Sequence, residues 1–367
     1  MNTVNIRMKS SEERLQRIRQ RIDAIDSEFL KLLTDRAKLA AEVADIKAAQ
    51  KNPVYYRPER EAQILRSIVE RNQSLLPDRE VARIFRSIMT ACLNLQKPLE
   101  IAFLGPEGTF SQQAAAKHFG EGAKLSPRAS IPEIFRAVST GQVHYGVVPI
   151  ENSSEGMINQ TLDQLISSDV NICGEINLRI QQHLVTREDN QKITCIYSHQ
   201  QSLAQCREWL LAHYPQTPTR EVSSNALAAR KAAEDPEIAA VCGSLAAQQY
   251  GLIIRNHAIE DYPNNTTRFI IIGKQIPAPS GKDKTSLIIS SPHTAGSLSK
   301  ILLPFDKHHL NMTLIESRPY RHRNWTYIFF IDFEGHQADP NVRMALDELS
   351  EASVMMTFLG SYPQATG

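Results

Sequence analysis

The sequence predicts a multidomain chain: an all-α segment, then an α/β region, then a small βαββαβ unit. Three observations carry this. Residues 11–97 contain no glycine. From Leu99 onward, apolar runs of strand length alternate with helical patterns, as in α/β folds with largely parallel pairing. After the Pro-, Gly- and Lys-rich stretch IPAPSGKDK (276–284), which reads as a linker, the order is strand, helix, strand, strand, helix, strand. That order fits a ferredoxin-like sandwich. The expected domain limits are 1–97, 98–278 and 279–367.

Composition narrows the function classes. Lys and Arg total 41 and Asp and Glu 40, a formal charge of +1, so no generalised nucleic-acid or acidic-membrane surface is expected. Cysteines 92, 173, 195, 206 and 242 form no CxxC pair and no zinc spacing. They read as reduced thiols of a cytoplasmic protein, with no metal and no cofactor. The first twenty residues hold no signal-peptide core, and no run has transmembrane length.

The helical segment comes first. Apolar residues recur at 15, 18, 22, 25, 29, 32, 39, 43 and 46, a heptad seam. Seam position 36 is Arg36. A buried, unpaired guanidinium costs several kcal/mol, so Arg36 either snorkels to solvent or faces a cavity that awaits an anion. Lys47 lies about 16 Å further along nearly the same face. Pro53 and Pro58 bracket a break, after which Arg60 and Glu61 open a second helix. On a third helix, Cys92 and Gln96 share the apolar face of Val81, Phe85 and Ile88, and an amide there needs a partner. Arg19 is about 25 Å from Arg36 along one helix. If both grip one small ligand, Arg19 comes from a second chain, and so long a helix would gain by packing on a copy of itself.

In the α/β region, IAFLG runs into GPEGTFS (105–111). Its glycines make neither GxGxxG nor a P-loop, which argues against a nucleotide. PIENSSEG (149–156), YSHQQSLAQC (197–206), SSNALAA (223–229) and NNTTRF (264–269) follow. Each alone reads as a turn or cap. Together they place hydroxyls, amides and helix N-termini at strand ends, where ligands of open α/β sheets bind. His199 reads as a turn residue, and Cys195, Cys206 and Cys242 as core.

These residues carry resemblances. IRQRIDAIDSEFLKLLTDRAKLAAEVADIK, RPERE and CLNLQ, within residues 12–97, resemble the all-helical chorismate mutases. That likeness implies an interlocked dimer. Arg36, and Arg19 of the other chain, would bind the carboxylates of chorismate. Lys47 and Gln96 would donate to its ether oxygen, Glu61 would accept from the ring hydroxyl, and Arg60 would add positive field. Cys92 stands where some relatives carry serine. A Claisen rearrangement needs no nucleophile; it needs a folded dianion and fixed donors at the breaking C–O bond.

GPEGTFS, ENSSEG, SHxQxLxQC and TRF, in this order over about residues 100–275, resemble prephenate dehydratase, a two-lobed domain similar to bacterial solute-binding proteins. The likeness implies that Thr267 is the catalytic hydroxyl and Arg268 its neighbour at the cleft, with Asn152, Ser198 and Gln205 lining the same pocket. Aromatisation drives loss of carbon dioxide and hydroxide, so a directed hydrogen bond from a threonine suffices. DKTSLIIS and ESRPYRHRNWTYIFFIDFEG resemble an ACT domain. That likeness implies phenylalanine binding at the turn Gly296, Ser297, Leu298, with Ser297 in place of the usual alanine, and at Glu316, Ser317, Arg318 and Pro319.

The resemblances together imply a bifunctional enzyme of the P-protein type, a homodimer or higher homo-oligomer. It would turn chorismate into prephenate and then phenylpyruvate, under phenylalanine feedback. A ligand sensor without turnover and a dehydratase preferring arogenate are the alternatives. Fusion to a dehydrogenase is disfavoured by the missing Rossmann fingerprint.

Overall fold

The computed structural model describes residues 2–50, 54–120, 122–189, 192–291, 294–319 and 327–365, with side chains from residue 11 onward.

Three helices come first: α1 (Asn2–Ala48), α2 (Pro58–Glu70) and α3 (Asp78–Gln96). No glycine or proline interrupts α1. Pro58 opens α2, and Glu59 and Glu61 occupy its first turn, the positions where a fixed φ and a negative charge suit a helix N-terminus. α3 packs on both α1 and α2. The seam residues of α1 from Leu15 to Ile46 remain 41% to 66% exposed. The heptad face is therefore present and uncovered.

Residues 100–273 build two sheets. In the first, the strands run Lys124–Arg128, Glu100–Leu104, Tyr145–Asn152, Thr266–Gly273, Asn171–Arg179. In the second the order is Ile253–Asn256, His183–Thr186, Ile238–Cys242, Cys195–Ser198, Thr219–Glu221. The chain crosses between them at residues 180–182 and again at 257–265.

The expectation of largely parallel pairing needs correction. Glu100–Leu104 is parallel to both of its neighbours, as is Cys195–Ser198. Thr266–Gly273 is antiparallel to both of its neighbours, and His183–Thr186 likewise. Those two strands follow the crossings, so each enters its sheet against the direction set by βαβ units. Strands Lys124–Arg128 and Asn171–Arg179 and helix Ile131–Ser139 are additions to the sequence reading.

The C-terminal unit has strand order Met312–Pro319, Tyr327–Glu334, Asp283–Ser290, Met355–Pro363, all antiparallel. Trp325 and Thr326, expected to start the Tyr327–Glu334 strand, lie outside the described residues. Successive side chains serve opposite faces. Leu287 and Ile289 pack with Ile301, Phe305 and Val342 of this unit's own helices. Ile288, Phe330 and Tyr362 join the core of the first sheet, with Val148, Ile172 and Ile270. Gly360 (φ 148°) allows the closest approach, since a Cβ there would lie 2.4 Å from the Ile172 carbonyl oxygen. The stretch 276–284 is not a free linker. Ser280 and Asp283 are buried, the Asp283 carboxylate accepts from the backbone N–H of Ser280 at 2.8 Å, and Asp283 begins a strand.

Candidate functional sites

A cavity of about 340 Å³ opens between the three helices and the C-terminal end of α4 (Phe110–Phe119). Arg36, Lys47, Arg60, Glu61, Cys92 and Gln96 all line it. The misfit in the seam is thus resolved: half-buried Arg36 donates to the Ile88 carbonyl at 3.4 Å and faces the cavity. Lys47 Nζ donates to Gln96 Oε1 at 3.3 Å and to the Tyr55 carbonyl at 3.0 Å. With its oxygen so occupied, Gln96 keeps its amide N–H groups for a ligand. Burial, and then the charge of Arg57, lower the Lys47 pKa. Glu61 pairs with Arg86 at 3.2 Å, yet desolvation outweighs that attraction and raises its pKa. Cys92 is buried in the wall, and Arg60 is exposed at the rim. Arg19 is exposed and does not line the cavity.

The second cavity, about 240 Å³, lies between the two sheets. Thr267, Asn152 and Gln205 line it. Thr267 and Asn152 are cross-strand partners, and Asn152 Nδ2 donates to Thr267 Oγ1 at 2.8 Å and to Asn265 Oδ1 at 2.9 Å. Helix N-termini point here as well. Thr109 caps α4 by accepting from the Gln112 N–H, and Ser224 caps helix Asn225–Glu234 by accepting from the Leu227 N–H. Both caps line the cavity, so it carries positive ends of helix dipoles. His199 is the N-cap of helix Gln200–Gln205, the turn role expected of it, and also touches the cavity.

Two expected pocket residues are placed elsewhere. Ser198 is fully buried, with Oγ 2.6 Å from the Val241 carbonyl oxygen and 2.9 Å from Asn225 Oδ1; it stands behind the cavity and steadies Asn225, which lines it. Arg268 points away, because neighbours on a strand take opposite faces. It meets Glu175 at 2.7 Å, Asp332 of the C-terminal unit at 2.6 Å and the Tyr362 hydroxyl at 3.0 Å. These contacts tie its strand to the C-terminal unit and leave it out of the cavity.

The sequence reading missed Gln182. This side chain is 1% exposed and lines the cavity. Its amide donates to Ser202 Oγ at 2.9 Å, while its Oε1 has no hydrogen-bond partner among the described residues. A buried, unsatisfied acceptor in a cavity wall suits a ligand that donates. Gln182 sits in a chain crossing without periodicity, so only motif comparison could have found it.

In the C-terminal unit, Gly296 (φ 79°) precedes helix Ser297–Lys307. Ser297 Oγ contacts Thr294 Oγ1 at 2.7 Å, and Leu298 is exposed. Glu316, Ser317, Arg318 and Pro319 lie on the edge strand Met312–Pro319. Arg318 is no free surface cation: it meets Asp163 at 3.0 Å and the Asn159 carbonyl at 3.2 Å, both in helix Asn159–Ser167. Among the described residues no helix is long and apolar enough to cross a membrane, and no three His, Cys, Asp or Glu side chains are grouped to hold a metal.

Comparison with known proteins matches residues 18–97 to the family "Chorismate mutase type II" and residues 101–277 to "Prephenate dehydratase". A bifunctional chorismate mutase/prephenate dehydratase of Stutzerimonas stutzeri is 49% identical over 362 residues, covering 97% of this chain and 99% of that one. A protein of the same description from Aquifex aeolicus is 42% identical, covering 96% and 99%. The crystal structure of prephenate dehydratase from Arthrobacter aurescens in complex with L-Phe is similar, with a TM-score of 0.67 and 34% identity, covering 73% of this chain and 90% of that one.

Proposed function

Because this chain belongs to the family of bifunctional chorismate mutase/prephenate dehydratases, we propose that its helical pocket and its inter-sheet cleft are the two successive catalytic sites. The enzyme rearranges chorismate to prephenate and converts prephenate to phenylpyruvate, in phenylalanine biosynthesis. We infer domain limits of 1–97, 98–278 and 279–367, in keeping with helix α3 ending at Gln96 and strands starting at Glu100 and Asp283.

The observation that carries the site reading is the gathering of Arg36, Lys47, Gln96 and Glu61 around one cavity while Thr267 lines another. In the first, Arg36 holds a carboxylate of chorismate bidentately. The Lys47 ammonium and the free Gln96 amide meet the ether oxygen as negative charge builds there. Glu61 accepts from the ring hydroxyl, Arg60 adds positive field at the rim, and Cys92 shapes the wall. Arg19 of a second copy takes the other carboxylate. The exposed α1 seam supports that pairing, since so much apolar helix surface calls for a partner. In the cleft, Thr267 donates to the leaving hydroxyl of prephenate, Asn152 fixes Thr267, and Gln205 and Gln182 add polar contacts.

Residues 279–367 are proposed to be an ACT module of ferredoxin-like fold, consistent with their strand order. It would bind phenylalanine through Gly296–Leu298 and Glu316–Pro319 and lower dehydratase activity. The L-Phe complex of the A. aurescens protein supports this. Five unpaired cysteines fit a cytoplasmic setting.

The test supplies the purified chain with chorismate and follows phenylpyruvate, then repeats the assay with phenylalanine and measures its binding by calorimetry. Comparing prephenate with arogenate as sole substrate settles the preference. No phenylpyruvate from prephenate together with no phenylalanine from arogenate would refute the cleft assignment, and no heat and no inhibition would refute the effector site.

A further inference from the structure

The helical pocket is not closed by helical-domain residues alone. His118 and Phe119, at the C-terminal end of α4, line it together with Tyr56. The contact is close-built. Tyr56 packs tilted against Phe119 and edge-on to Tyr145, with ring centroids 5.4 Å away in each case. Gly120 (φ 73°) ends α4 so near α3 that an added Cβ would lie 2.6 Å from Thr90 Cγ2.

Within this contact runs a chain of polar groups. Tyr56 Oη lies 2.8 Å from His118 Nε2, and Tyr56, His118 and Glu61 together line the helical pocket and the smaller cavity beside it. The Tyr56 hydroxyl and Arg86 both favour the ionised Glu61, although burial still raises its pKa. Burial and the nearby Arg86 charge push the His118 pKa down to about 3, so its imidazole is neutral. The Tyr56 hydroxyl has one proton, and the arrangement that serves an ionised Glu61 gives it to that carboxylate. The Tyr56–His118 bond then requires Nε2–H of a neutral imidazole as the donor.

We propose that His118, supplied by the dehydratase domain, is a positioning residue of the mutase site: it orients Tyr56, which in turn fixes Glu61 toward the ring hydroxyl of chorismate. This rests on the assignment of Glu61 above. The mutase pocket is therefore finished by its neighbouring domain. The other end of the same helix faces the cleft through Thr109, Phe110 and Ser111, so ten residues touch both candidate sites.

The experiment uses the full-length chain carrying His118→Leu, His118→Gln or Tyr56→Phe, with turnover of supplied prephenate as the folding control. His118→Leu and Tyr56→Phe should each lower mutase kcat/KM roughly tenfold, the range for losing a group that orients a ligand-binding side chain. Both should also move the acid limb of the mutase pH profile upward, because Glu61 loses a bond that favours its ionised form. His118→Gln places an amide N–H near the lost Nε2–H and should restore both readouts. A loss without movement of the acid limb, or a glutamine variant no better than leucine, would overturn the proposal. Glu61→Ala distinguishes the layers: if mutase activity survives it, the site reading itself falls.

Discussion

Asn152 Nδ2 donates to Thr267 Oγ1 across the strand pair, at 2.8 Å, and this settles which way the threonine proton can go. An oxygen that already accepts is polarised as a donor, and among the described residues the Thr267 hydroxyl donates to no protein acceptor, which leaves its proton for the cavity it lines. Thr267→Ala should lower dehydratase kcat by about 10²-fold or more, the usual loss for one preorganised donor, and leave mutase turnover unchanged. Steady-state assays with each substrate alone check this.

The mutase pH profile should be narrower than free side chains would give. The raised Glu61 pKa means that its ionised form, the acceptor, is lost as pH falls through a value above the ordinary 4.5. The lowered Lys47 pKa means that its ammonium is lost as pH rises through a value below the ordinary 10.5. Activity should peak between these limits. Glu61→Gln, which accepts without titrating, should flatten the acid limb while leaving the alkaline one.

Arg268→Met should destabilise the fold by about 3–5 kcal/mol, the cost of stripping the partner from buried charge. It leaves Asp332 and Glu175 behind, whose side chains are 6% and 3% exposed, though Lys284 still meets Glu175 at 2.8 Å. Burial would raise the Glu175 pKa, but Arg268 and Lys284 outweigh it and hold it low. Its contribution is therefore present above the unfolded carboxylate pKa and lost as pH falls through the lower folded value. Urea melts of both proteins should show a gap that narrows in acid.

The α1 seam should behave as an assembly surface. Burying one large apolar side chain is worth about 1.5–3 kcal/mol, and every change appears twice in a symmetric pair. Ile22→Asp with Phe29→Asp should weaken self-association roughly 10²-fold or more and abolish mutase activity. Sedimentation velocity across a dilution series reads the first effect.

Much of this was legible locally. Arg36 announced itself as a cation in an apolar register, Lys47 and Gln96 followed from helical spacing, and Glu61 was picked out only through the resemblance to the helical mutases. The cleft was legible as a set of strand ends and caps. What was lost depended on pairing and contacts at a distance. Thr267 and Arg268 are adjacent in a motif, yet the period-2 pleat sends one to the cavity and the other to the C-terminal unit. Asn265 reads as a turn residue beside Asn264, but is 3% exposed and receives Asn152. Strand Lys124–Arg128, with its Pro127 and three charged or polar neighbours, has no apolar alternation because it is an edge. Tyr56 and His118 are 62 residues apart, and no local pattern joins them.

The unbroken length of α1 has a genetic consequence. Arg19 and Arg36 sit too far apart on one rod to serve the same ligand, so a pocket that needs both must borrow from each of two chains. Co-produced subunits bearing Arg19→Ala and Arg36→Ala would then gather both lesions into one pocket of a mixed pair and leave the other intact. Two alleles, each inactive alone, would complement.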